Sequence, residues 1–525
     1  MKQSIRQLAW ILILTCCGTT VKAQEKLQIE NVRSTYIRNS GEIMDGEELK
    51  GYFSFFVSDK ISKSENEYTL QILDKNLAKV KEIKFEDDKN IQVLESSYNG
   101  NAIMFLFYNK KEKTLEYRAY DFNGKQKMSY VKDLDKRSQA LLESTYGSKS
   151  DEGQNEALFS VNNDGFVTVY PVKEKKYYSY EINFFFSNKR KTWTYEAAED
   201  QEDKFAQAVY LGATDSLVLF EVVKQKSMMF SGGPHTWVVG LYIHNGKKAF
   251  EVMTEEDDHK LYAMNVATIS GKSDFILMGP YYSPDAKVMK DASQGIGAWT
   301  MNSKGKVTAK KYNSWTGDIA KYLPVSSKGK IDNVGFIFFH KVLQMADGSF
   351  FAVGEGYKKS VSAEGVAGKV LSSLTSVRTN TSAFKVVITE LLTFRFDENF
   401  GITDARIYEK NNNDMELPGG AEFMSPHVMA LIAKAFGAFD YAFTITDKDH
   451  TRFNVGYTDY VRSGDEKGLQ FKSLNYADGQ MSEDKISLKS KAKWTRVFPA
   501  KPGFVTILEY FKKDKRLEYR LEKLN

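Results

Sequence analysis

Hydrophobic and polar positions recur along the chain in a fixed order. A turn comes first, then a strongly apolar strand, a variable loop, a second strand, a Gly/Asn/Asp turn and a polar alternating strand. The pattern predicts apolar strands at 49–57, 102–108, 166–170, 217–223, 275–282, 350–355, 453–457 and 504–511. Several follow Gly-containing turns, such as Asn99-Gly100, Asp164-Gly165, Asp347-Gly348 and Pro502-Gly503. The eight starts lie about 65 residues apart on average. Ala102-Ile-Met-Phe-Leu-Phe-Tyr108 is apolar on both faces, so it has to be covered on both. Lys304-Gly-Lys-Val-Thr-Ala-Lys-Lys-Tyr312 alternates, so one face meets water. A radial stack of four-stranded sheets meets both demands. The expected fold is all-β and β-propeller-like, with eight (alternatively seven) four-stranded blades in one domain over 24–525. Two or three unrelated β-sandwiches are the competing arrangement. The last repeat ends at Leu524-Asn525 after its third strand, and residues 25–37 are placed to close it, unless the first repeat needs them.

Two segments leave the strand pattern. Ser425 and Pro426, then Val428, Leu431, Ile432, Ala435 and Phe436, then Gly437, predict a short helix near 426–436. Residues 317–323, before Pro324, predict another helical turn. Residues 360–383 are rich in Ser, Thr, Ala, Gly and Val and are expected to form a flexible insertion.

Composition agrees with a packed β protein: 42% of the 525 residues are hydrophobic and 13% aromatic, with 35 Phe and 29 Tyr. The first residues add a compartment. A basic start, the apolar run 8–14 and Val21-Lys22-Ala23 read as a signal peptide cleaved after Ala23. The apolar run is shorter than the roughly 20 residues of a membrane span. Cys16 and Cys17 raise a lipoprotein as an alternative, but the small residue wanted before a lipidated Cys is missing. The expectation is export by the general secretory route, to the periplasm or the cell surface, with no membrane span after cleavage. Residues 24–525 then carry no cysteine and a net charge of +2 in place of +5. That excludes disulfides and thiol chemistry, and argues against nucleic acid as a partner.

The surviving stretches resemble a known family. Tyr68-Thr-Leu-Gln-Ile-Leu-Asp-Lys-Asn-Leu77, Glu95-Ser-Ser-Tyr98-Asn-Gly100, Trp299-Thr-Met-Asn302, Lys311-Tyr-Asn-Ser-Trp315, Ala352-Val-Gly-Glu-Gly-Tyr357 and Phe498-Pro-Ala-Lys-Pro-Gly503 are similar to secreted Bacteroidetes proteins grouped only as a domain of unknown function. The resemblance covers the whole exported chain. It implies Gram-negative export and brings no catalytic or binding residues.

Motifs of catalysis are missing: there is no HExxH, GxSxG, P-loop or strand-following GxGxxG. The six histidines, His235, His244, His259, His340, His427 and His450, show no ligand spacing, and are read as surface or capping residues. His427 reads as part of a first helical turn and nothing more. No metal and no cofactor are expected. Asp447-Lys-Asp449-His450 reads as a hairpin turn and Asn411-Asn-Asn-Asp414 as a loop.

Loop length is the better guide to function. The long loops at 224–236, 283–297, 313–332, 358–386 and 410–425 all belong to the fourth to sixth repeats and fall on one face. Met229, Phe230, His235, Tyr281, Tyr282, Trp315 and Tyr322 are the candidate binding residues there, suited to a glycan or protein partner. The opposing expectation is that these aromatics fold inward. The leading reading is an exported, non-catalytic binding or scaffold protein. The alternatives are a glycan-active hydrolase or lyase with carboxylates in a pocket, and an envelope assembly component.

Overall fold

The computed structural model describes residues 26–45, 48–136, 138–140, 142, 157–174, 177–189, 191–197, 204–226, 235–269, 273–288, 290–362, 381–418, 424–461, 468–488, 490–501 and 503–524. The signal-peptide assignment, both cysteines, Met229, Phe230 and most of the 360–383 insertion lie outside them.

The protein is all-β and propeller-like. Its strands form consecutive antiparallel meanders, numbered here as units in chain order. Unit 1 holds Ser40–Asp45, Glu48–Lys60, Glu65–Asp74 and Lys79–Asp88. Unit 2 holds Ile91–Tyr98, Ile103–Asn109, Thr114–Tyr120 and Gln126–Asp133. Unit 3 holds Leu158–Val161, Gly165–Glu174, Tyr177–Phe186 and Thr192–Glu196, and it shares one eight-stranded sheet with unit 4 through a single parallel bridge between Tyr178 and Phe205. Unit 4 consists of Phe205–Ala213, Leu217–Gln225, His235–Tyr242 and Lys248–Met253. Unit 5 begins with the short strands Lys260–Leu261 and Asn265–Thr268, which both pair with Phe275–Tyr282, and continues through Gly295–Met301 and Val307–Ser314. Unit 6 holds Phe336–Gln344, Phe350–Val361, Thr381–Phe396 and Ile402–Tyr408, with Asn413–Pro418 added beside the third strand. Unit 7 runs from Tyr441–Thr446 to Gln480–Ser487, and unit 8 from Trp494–Pro499 to Arg516–Lys523.

The apolar strands expected from sequence are the second strands of these units. Ile103–Asn109 is buried along its whole length. It lies between two strands of its own sheet while both of its faces pack against neighbouring units, so no position needs to be polar. The fourth strands pair on one side only, and Val307–Ser314 and Gln480–Ser487 are largely exposed. The first strands of neighbouring units touch around a ring from unit 1 through unit 6 and again between units 7, 8 and 1. The closing strand is Lys26–Ile29, which takes the fourth place in unit 8 by pairing with Arg516–Lys523. Tyr52 of unit 1 adds a second tie across this seam. Its hydroxyl donates to the Pro499 carbonyl at 3.0 Å and lies 2.7 Å from Thr506 Oγ1.

The helix forms where its sequence signals put it. Pro426–Ala435, here α1, is capped by Ser425, whose Oγ accepts from the Val428 amide. It packs on unit 6 through Met429, Ala430 and Ala433, against Phe338, Tyr357 and Ile388. A 3₁₀ turn occupies Ile319–Lys321. The Asp447–His450 segment is a hairpin turn, with Asp447 Oδ1 accepting from the amides of Thr451 and Arg452.

Candidate functional site: a cleft between units 5 and 6

A small cleft with about 40 Å³ of free space opens among the long loops of units 5 and 6. Tyr282 and Pro280 come from the second strand of unit 5, and Asp291, Ala292 and Ser293 from the loop after it. Trp315, Lys328 and Gly329 come from the connection to unit 6, and Phe336, Phe339 and Tyr357 from unit 6 itself. Pro426 and His427 come from the first turn of α1.

Close packing fixes these walls. The Trp315 indole Nε1 donates to the Ser293 carbonyl at 3.1 Å and lies 3.2 Å from Ser293 Oγ. Gly329, at φ +74°, lies against the indole so closely that a Cβ there would meet it at 2.6 Å. Gly279 plays the same part on the unit 5 side, where a Cβ would fall 1.8 Å from the Tyr262 carbonyl oxygen. Asp291 and Lys328 bring one charge of each sign, and Asp291 Oδ2 accepts from the Lys287 amide at 2.6 Å.

His427 is 7% exposed, and its Nε2 has no hydrogen-bond partner among the described residues. Burial pulls the imidazole down to about 3, so at neutral pH it is uncharged. Its ring meets the Tyr262 ring edge-on at 4.2 Å. Tyr262 in turn faces Glu221 on the second strand of unit 4, which is 3% exposed. Burial pushes the Glu221 carboxyl well above the usual carboxylate range, and the neighbouring Tyr262 hydroxyl opposes that only in part. Burial therefore favours the neutral form of Glu221, and its Oε1 is also unpartnered among the described residues. Burial raises the Tyr262 hydroxyl too, and Glu221 raises it further. Gln225, on the same strand face as Glu221, has an unpartnered Nε2. Buried polar atoms without partners are uncommon and costly, so a group of them beside a cleft calls for an explanation.

The residues expected from sequence divide. Tyr282 and Trp315 meet in the cleft wall, both buried, so the inward-folding expectation holds for them. Tyr281 is buried elsewhere, against His259 and Tyr312. His235 is at the start of its strand in unit 4 and pairs with Glu255 at 3.1 Å. Tyr322 is exposed and donates to the Ile402 carbonyl at 3.4 Å. Sequence reasoning missed Glu221, Tyr262 and Tyr357, and read His427 and His340 as surface or capping residues. Both histidines are buried. The described residues contain no group of three or more His, Cys, Asp or Glu able to hold a metal. They also contain no helix long and apolar enough to cross a membrane.

A second buried polar group joins units 6 and 7. Glu355 is fully buried, 3.0 Å from His340 Nε2 and 3.4 Å from Lys410 Nζ. It also accepts from the amides of Asp440 at 3.2 Å and Tyr441 at 2.9 Å. Lys410 reaches Asp440 at 2.5 Å, and His340 stacks on Tyr441 at 4.5 Å. Burial pushes Glu355 up, but His340 and Lys410 outweigh it and hold the carboxyl below its usual range. Burial drives Asp440 up to about 7 against the pull of Lys410.

The family follows from the sequence. The profile of a family of unknown function, DUF6770, matches residues 1–525. The chain belongs to that family. No curated protein matches it. Among solved structures it is similar to the WD40 domain of SCAP from fission yeast, at 7% identity and a TM-score of 0.36, over 97% of each chain. It is similar to a prolyl endopeptidase at 8% identity and a TM-score of 0.37, over 87% of this chain and 53% of that one. For prolyl oligopeptidase B from Galerina marginata the values are 10% and 0.32, over 82% and 48%. The chain thus spans about half the length of these peptidases.

Proposed function

We propose that this family member is an exported, non-catalytic binding protein that captures a ligand in the cleft between units 5 and 6. In this reading residues 1–23 are a signal peptide, and the remaining chain is a single propeller-like domain of eight blades closed by Lys26–Ile29. The partner is a glycan or a protein bearing a matching group. The observation that carries the reading is His427: a buried imidazole whose Nε2 lacks a partner among the described residues, at a cleft walled by Tyr282, Trp315, Phe336, Phe339 and Tyr357. Rigid aromatic walls with a few polar groups are what small-ligand sites use.

A thermal-shift screen against oligosaccharide and peptide panels tests it. The expected result is a ligand whose stabilisation grows with its concentration and disappears in Ala292→Trp, which places a large ring in the cleft. Ligands that stabilise Ala292→Trp equally would remove the cleft from consideration.

The second reading, a hydrolase or lyase, draws on Glu221. A carboxylic acid held protonated in an apolar site is suited to donating a proton. Turnover of a bound glycan, abolished in Glu221→Gln with binding retained, would favour it.

A further inference from the structure

We propose that α1 is an acid-released lid over this cleft: when His427 takes up a proton, α1 lifts from unit 6 and uncovers the ring walls beneath it. The lid adds a regulation to the ligand-capture reading above and rests on that reading for its use, not for its movement.

The closed structure asks for a moving part. The free space of about 40 Å³ has room for a few water molecules. Tyr282, Trp315, Phe339 and Tyr357 in the wall are each at most 6% exposed. A ligand reaches those rings only when one wall moves.

The walls are unequally held. Tyr282 and Tyr357 lie on second strands that are paired on both sides. Trp315 is tied to Ser293. α1 has no such ties. Among the described residues, the backbone–backbone hydrogen bonds of residues 425–437 stay within the helix and its ends, as in Met429 to Ser425 and Phe436 to Ile432. Side-chain packing alone therefore seats α1 on unit 6. Its buried apolar side chains among the described residues are Val428, Met429, Ala430 and Ala433. Two of these four are alanines, which bury little area. An element held in this way opens locally before the whole fold does. Its far end is anchored, because Asn413 Nδ2 donates to the Ala438 carbonyl at 3.0 Å. Gly437, at φ +65°, ends the helix there. The end that lifts is the one carrying His427.

His427 supplies the trigger. It is buried, its Nε2 has no partner among the described residues, and it lies in the first turn, where the helix dipole opposes positive charge. The groups around it offer an imidazolium no anion. Tyr262 and Tyr282 of unit 5 and Tyr357 of unit 6 are phenols that burial keeps neutral. Glu221 of unit 4 stands behind Tyr262, and burial favours its neutral form. Asp291 accepts from the Lys287 amide, and Lys328 brings the opposite charge to the same cleft. Glu355, two residues before Tyr357 on the same strand face, is already engaged by His340 and Lys410. Lys434 on α1 itself is a cation, placed over Phe338 at 5.9 Å.

Burial alone therefore acts on the imidazole and pulls it down to about 3 in the closed form. The closed form has its full advantage above the ordinary histidine value and loses it as pH falls from about 6.5 toward 3. The open population rises up to about tenfold per pH unit, or about 25-fold between pH 7 and pH 5. Glu221 does not cancel this change, since Tyr262 continues to cover it when α1 lifts.

The experiment is hydrogen–deuterium exchange of the full chain at pH 7 and pH 5, with rates corrected for the intrinsic effect of pH. Peptides covering 426–438 are compared with peptides covering Ile103–Asn109. His427→Gln and His427→Leu, each shown to be folded by a thermal melt, are measured beside the wild type. In the wild type, protection of 426–438 is expected to fall about 25-fold from pH 7 to pH 5 while Ile103–Asn109 holds. In both variants the fall is expected to be less than about threefold. Equal protection of 426–438 at the two pH values in the wild type would overturn the lid. So would a fall shared by every peptide, which is acid unfolding of the whole ring. A fall that both variants reproduce would place the titrating group elsewhere and overturn the role given to His427. The oligosaccharide and peptide panels are run at both pH values as well. Silence of the panels at both, with exchange behaving as expected, would overturn the capture reading and leave the lid standing.

Discussion

Two buried polar groups in this molecule follow opposite rules. The group between units 6 and 7 is closed. Glu355 meets His340, Lys410 and two backbone amides, and Lys410 meets Asp440. The group between units 4 and 5, reaching the cleft, is open. Glu221 Oε1, Gln225 Nε2 and His427 Nε2 have no partner among the described residues. In the first, opposite charges face one another, and His340 and Lys410 hold Glu355 below its usual range although burial raises Asp440. In the second, burial finds no counter-charge and holds acid and base neutral. The closed group spans the join between units 6 and 7, the place where α1 enters and where first-strand contact is weakest. It holds the ring together. The open group gives up stability at a cleft, which is where a binding site is expected to differ from a scaffold.

The comparison can be broken most sharply at Lys410. Lys410→Met leaves Glu355 and Asp440 buried without their cation. A loss of roughly 3–5 kcal/mol is expected in urea unfolding at pH 7. A loss below about 1 kcal/mol would mean that the network is ornamental.

Acid separates the two groups next. The Glu355 carboxyl is held below its ordinary value, so its contribution is present above about pH 4.5 and lost as pH falls further. His427, drawn from 6.5 to about 3, contributes stability above pH 6.5 and loses it as pH falls toward 3. Glu221 runs the other way, since its raised value favours the fold as pH drops toward the ordinary carboxylate range. Between pH 6.5 and 5 the His427 term acts before Glu355 does. His427→Leu is therefore expected to gain roughly 1–3 kcal/mol on the wild type between pH 7 and pH 4. Parallel pH profiles would contradict the buried neutral imidazole.

The smallest effect is expected at Glu221. Glu221→Gln keeps the shape and removes an acid that the fold must keep protonated, so stability at pH 7 should rise by about 1 kcal/mol. The gain should shrink as pH falls. A loss of that size would show that the carboxyl has a partner supporting it.

The architecture was legible from sequence because it is local. A second strand covered on both faces has to be apolar throughout, as at Ile103–Asn109, and outer strands such as Val307–Ser314 have to alternate. The Ser425-Pro426 pair announced α1, and a last repeat short of one strand pointed to Lys26–Ile29. The clustering of long loops in the middle repeats also pointed to the face where the cleft opens. The site itself was not legible, because its parts are far apart. Glu221, Tyr262, Tyr282 and His427 come from two strands, a connection and a helix that only the curvature of the ring brings together. No spacing encodes that meeting. The burial of His427 was hidden as well, since one step past a helix-opening proline a histidine usually faces solvent.

The most direct test sets Lys410→Met and His427→Leu side by side in urea at pH 7. The account predicts that the first loses roughly 3–5 kcal/mol while the second stays within about 1 kcal/mol of the wild type or exceeds it. Comparable losses in both would contradict it, because His427 would then be a structural residue and the cleft would have no unpaired group to offer a ligand.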